Sequence, residues 1–147
     1  MKFICIVAIC LTAVGCGGHR DLTEYSLDEH SFDAEAMAKI EQESGINLPN
    51  GAKGLAFHHI PPIDPIVFAK IQLPSAAQDS ITKQVEALTF SGKSFPEDFA
   101  TDRCQSWPTA LKEVVFSKQA FNNGDYMALY LVKENDDIIL YIKYFTM

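Results

Sequence analysis

The side chains best suited to chemistry in this sequence are His58 and His59, Asp64 shortly after them, and Cys104. Imidazole and carboxylate together suit zinc and similar ions. A thiol or hydroxyl beside an imidazole suits nucleophilic catalysis, with an acid to orient the base. The spacing works against both. His58 and His59 are adjacent in a stretch that reads as a strand, so they point to opposite faces and do not converge on one ion. No third ligand accompanies His58, His59 and Asp64, so no metal centre and no cofactor are expected. There is no Gly-x-Ser-x-Gly elbow, no His-Glu-x-x-His helix and no glycine-rich phosphate loop. Glu97-Asp98 and Asp136-Asp137 read as a helix start and a turn, not as acid–base pairs. Cys104 reads as a small, semi-buried hydrophobe.

A second group of residues suits binding. Tyr126, Tyr130, Tyr141 and Tyr144 fall in the last third of the chain, on strands with apolar residues on both faces. Helices covering only one face would leave an apolar, tyrosine-rich patch on the other, the kind of surface partners use. The alternative is that the stretch 90–112 covers that face. The expected activity is therefore binding of a protein or other ligand. The competing expectation is a small enzyme assembled in space near His58, His59 or Cys104. Charge bears on one class of partner. Twelve Lys and Arg against 19 Asp and Glu give a net charge of −7, and the cations are scattered. This argues against nucleic acid, which needs clustered cations.

The N-terminus carries an address. Lys2 is followed by an apolar run from Phe3 to Val14, and small residues close it. That run is about a dozen residues, short of the roughly 20 that a spanning helix needs. A cation, a short apolar run and small residues are the grammar of a secretory signal. Ala13-Val14-Gly15-Cys16 resembles the lipobox of bacterial lipoprotein precursors, with Ala13 standing where leucine is most frequent. The resemblance implies that residues 1–15 are a signal peptide, removed after Cys16 receives a diacylglyceryl group. It further implies a cell-envelope protein held to its membrane by acyl chains such as palmitate, for which the expected binding partner is another envelope protein or a ligand. Gly17 after the cysteine is similar to signals for the outer membrane where a cell has two membranes; otherwise the site is the cell-membrane surface. Each buried CH₂ is worth about 0.8 kcal/mol, and two chains anchor stably where one does not. Cys5 and Cys10 would leave with the signal, so Cys104 has no disulfide partner and the domain must hold by its core.

Residues 16–32 are expected to be the lipidated cysteine and a flexible tether, and residues 33–147 one domain. Asp33 can cap a helix running to Ser44, and Gly45 suits the left-handed residue that stops it. Gly54–Ile60 and Ile66–Leu73 alternate as strands, the first with Leu55, Phe57 and His59 on one face. Ser75 with Gln78 has the pattern of a capping box for a second helix ending near Leu88. Pro96 is placed to start a short helix. Glu113–Phe121, Tyr126–Lys133 and Ile138–Phe145 read as three strands, with Asn123-Gly124 as a hairpin turn. The expected fold is α+β, in the order α-β-β-α-β-β-β. It is a two-layer sandwich of about five antiparallel strands with two helices on one face.

Overall fold

Asp33 caps the first helix. Its carboxylate accepts the Ala36 amide at 3.0 Å, which satisfies one of the donors left open at a helix start. Helix α1 spans Ala34–Ser44. It stops at Gly45, where φ is 67° and the amide returns to the Glu41 carbonyl at 2.9 Å. The computed structural model describes residues 22–61, 65–88, 99–100, 106–122 and 125–146. The expected N-terminal signal, Cys16, Asp64, the short helix at Pro96, Cys104 and the Asn123-Gly124 turn all lie outside the described residues.

The described elements are β1 (Tyr25–Asp28), α1, β2 (Lys53–Ile60), β3 (Ile66–Leu73), α2 (Gln78–Ala87), β4 (Val114–Asn122), β5 (Asp125–Glu134) and β6 (Asp137–Thr146). All strand pairs are antiparallel, in the order β1-β2-β3-β6-β5-β4. The fold is α+β with one antiparallel sheet. It has six strands where five were expected, because Tyr25–Asp28, inside the expected tether, adds to the edge of β2. Tyr25 stands opposite His59 and Leu27 opposite Phe57. The element order therefore begins with a strand.

Two further expectations are corrected. The register of β2 shifts between Gly54 and Ala56, so Leu55 is an extra residue and turns away from the face of Phe57. Gly54 is required there because Phe32 lies on it: a Cβ would stand 2.1 Å from the Phe32 ring. Ser75 does not form a capping box. Ser75–Ala77 is a 3-10 turn, and α2 begins at Gln78 without a side-chain cap. Between β5 and β6 the turn is as tight as a hairpin allows. Glu134 pairs with Asp137, and Asn135 and Asp136 have φ of 53° and 89°, the signs of a type I′ turn.

Both helices bury their apolar stripes on one face. Ala36 and Ile40 of α1, with Ile81 and Val85 of α2, meet Phe57, Val67, Ala69, Ile71, Leu129 and Leu140. The opposite face is covered by residues of the stretch 90–112, the alternative to an open tyrosine patch. Phe68, Tyr130, Ile139 and Tyr141 are buried there under Phe99, Ala100 and Trp107. The Phe99 ring meets Phe68, Trp107, Tyr130 and Tyr141 at centroid distances of 5.3 to 6.1 Å. Its amide bonds the Thr109 carbonyl at 2.9 Å, which ties the two covering pieces together. Each aromatic ring so buried contributes about 1.5–3 kcal/mol. No described helix is long and apolar enough to cross a membrane.

Candidate functional site

On the face that the helices leave alone, cross-strand register sets the side chains in rows. One row reads Asp28, Ala56, Lys70, Tyr141, Tyr130 from β1 across to β5. Ala56 is the small member of that row, and it leaves space between the longer Asp28 and Lys70. The result is a pocket of about 230 Å³, walled by Ser26, Asp28, Lys70 and Tyr141 and closed on one side by Ser106 and Trp107.

The charges of this pocket are held by other protein groups. Lys70 Nζ donates to Glu134 Oε2 at 2.7 Å, and the Tyr141 hydroxyl donates to Glu134 Oε1 at 2.6 Å. Lys70 also lies 5.3 Å from the centre of the Tyr141 ring, within reach of a cation–π contact. Burial disfavours the charged forms of both partners. The hydrogen bonds outweigh it, so Glu134 stays below the usual carboxylate range and Lys70 above the usual lysine value. The Tyr141 hydroxyl is pushed up by burial and by donating to a carboxylate. Across the pocket, Asp28 Oδ1 accepts from Ser31 Oγ at 2.7 Å, from the Ser31 amide at 2.9 Å and from the His30 amide at 3.1 Å. Those bonds, the Ser31 hydroxyl first, hold the Asp28 carboxyl below its ordinary value.

Beside the pocket is a second polar array. Ser26 stands opposite His58 in the β1–β2 register, and Ser26 Oγ lies 2.5 Å from His58 Nδ1. His58 Nε2 lies 3.4 Å from Glu24 Oε1. A hydroxyl, an imidazole and a carboxylate are thus in sequence, with the serine also lining the pocket.

The sequence-derived candidates separate. His59 points to the helix side and is buried, with Nδ1 3.4 Å from the Thr23 carbonyl and its ring 5.3 Å from that of Tyr25. His58 is on the other face, so the pair does not act together. Among the described residues, no group of three or more His, Cys, Asp or Glu is placed to hold a metal ion. The four tyrosines do not make one surface. Tyr130 and Tyr141 are 2% and 3% exposed, because Phe99 and Trp107 cover them. Tyr144 packs on the helix side. Tyr126 is half-buried and stacked on Phe145 at 4.5 Å. Lys70, Glu134, Ser26 and Trp107 were not singled out by sequence. The one local signal was the polar Lys70 between apolar neighbours in β3.

A wider cleft of about 570 Å³ opens between the β1–α1 connection and the start of β2. Glu29, His30 and Lys53 on its rim are exposed side chains, and of its lining carboxylates Asp33 is engaged in capping α1. No protein-family model, curated protein or solved structure matches this chain.

Proposed function

We propose that this chain is a lipid-anchored envelope protein that works by binding, and that its occupant sits in the pocket over Ala56. The lipobox-like Ala13-Val14-Gly15-Cys16 supports the anchor. The observation that carries the binding reading is the pocket itself: a small floor at Ala56, aromatic and serine walls, and charged groups already oriented by hydrogen bonds. Ligand sites have this composition, apolar walls with a few fixed polar groups. Prior fixing of Lys70, Glu134 and Tyr141 means that little side-chain freedom is lost on binding. Acyl chains on Cys16 would keep the pocket close to the membrane, on the outer membrane where there are two.

The test is a ligand screen read by thermal unfolding, since a compound that binds only the folded chain raises its Tm. Hits whose stabilisation disappears in Ala56→Leu support the reading. A screen in which every hit stabilises that variant equally contradicts it.

The Ser26–His58–Glu24 array favours a second reading, a small hydrolase using Ser26 as nucleophile and His58 as base. A fluorophosphonate probe separates the two. Labelling of Ser26 that is lost in His58→Gln supports the hydrolase, and an unlabelled Ser26 removes it.

A further inference from the structure

We infer that the occupant of the pocket over Ala56 is a single neutral sugar ring. This rests on the pocket being a ligand site, and it adds the chemical class. Size is the first argument. A volume of about 230 Å³ lies below the roughly 300–1,000 Å³ of sites for drug-sized ligands. That accommodates one pyranose ring with its substituents and excludes a peptide or an oligosaccharide lying wholly inside.

Charge is the second argument. Lys70 stands in one wall, and Asp28 in the other. A cation would meet Lys70, and an anion would meet Asp28 and the Glu134 carboxylate behind Lys70. The net charge of −7 adds to the cost of an anion. A zwitterion could in principle bridge the two walls. It would have to compete with Glu134 for Lys70. A neutral ligand needs no such exchange.

The third argument is the kind of contact on offer. The walls supply hydroxyls from Ser26 and Ser106, ammonium N–H groups of Lys70 beyond the one given to Glu134, and the aromatic side chain of Trp107 beside the Tyr141 ring that Lys70 contacts. Hydroxyls arranged around an apolar C–H face are what a sugar presents to such a wall. Aromatic groups match the face, and the polar groups match the rim.

Trp107 is the only tryptophan in the chain, so all tryptophan emission comes from a residue that lines this pocket. The experiment titrates the full chain, purified from membranes in a sugar-free detergent. The probes are glucose, N-acetylglucosamine, glycine betaine, choline and inorganic phosphate. The expected result is a saturable change in emission with a sugar, at millimolar half-saturation, and none with the charged or zwitterionic probes. Ala56→Leu, which fills the floor, should abolish the response. Ser106→Phe, at an exposed position on the mouth, should weaken it several-fold with the melting curve unchanged. A saturable response to betaine, choline or phosphate without one to sugar overturns the sugar assignment and leaves the pocket as a binding site. No response to any probe overturns the sugar assignment, and the screen by thermal unfolding then decides the pocket independently.

Discussion

The Lys70 ammonium and the Glu134 carboxylate, 64 residues apart in the chain, meet at 2.7 Å beside the ring of Tyr141. The contact ties β3 to the far end of β5 across β6 and fixes one wall of the pocket. Partly exposed pairs of this kind are worth about 1 kcal/mol or less. A double-mutant cycle with Lys70→Met and Glu134→Gln should return a coupling of about that size at neutral pH.

The same pair sets a pH dependence. The Glu134 carboxyl lies below its unfolded value, so its contribution is present above about pH 4.5 and is lost as acid protonates it in the folded chain. The Lys70 ammonium lies above its unfolded value, so its contribution is present below pH 10.5 and is lost as the pH rises through the folded value. Denaturant melts of wild type and Glu134→Gln should therefore differ at pH 7 and converge as acid protonates Glu134 in the folded chain.

Phe32 lies on Gly54, and a methyl group there would fall 2.1 to 2.4 Å from three of its ring atoms. Gly54→Ala should lower stability by about 1–3 kcal/mol, the usual cost of overpacking. Phe32→Ala removes the obstacle, so the double variant should lose less than the sum of the two single losses.

Phe99 is fully buried between Phe68, Trp107, Tyr130 and Tyr141. Phe99→Ala should cost about 3–5 kcal/mol. It should also raise the binding of a hydrophobic dye, because it uncovers the aromatic face of the sheet. A loss under 1 kcal/mol would mean that this residue does not cover the face.

What was readable in the sequence is what local physics fixes. Asp33 and Gly45 frame α1 within a dozen positions, and the Ile66–Leu73 alternation sets the strand next to β6. Strand β1 was missed because four residues carry too short a pattern. Its partners in β2 lie 28 to 34 positions on, as with Ser26 and His58. Leu55 was placed on the wrong face because a bulge moves one residue without changing the apolar pattern, although Gly54 beside it is a typical mark of one. The tyrosine patch failed for a related reason. The alternative, cover by the stretch 90–112, is what Phe99 and Trp107 supply, and no local pattern near Tyr130 or Tyr141 favoured it. The pocket was invisible for the same cause, since Asp28, Ala56, Lys70 and Tyr141 become neighbours only through the register of four strands.

The anchor is testable apart from the fold. Cys16→Ala should leave the precursor uncut and without incorporated fatty acid, read by gel mobility and metabolic labelling. Normal maturation of that variant would contradict the lipoprotein reading.

The most direct test of the central claim, that this protein binds through the pocket over Ala56, is photocrosslinking in intact cells. A photoreactive amino acid replaces Ser106, exposed at the pocket mouth, or Lys83, exposed on α2 away from it. Mass spectrometry should find one reproducible adduct from position 106, lost when Ala56→Leu fills the floor, and none from position 83. Equal adducts from both positions, or an adduct at 106 that persists in Ala56→Leu, would contradict the claim.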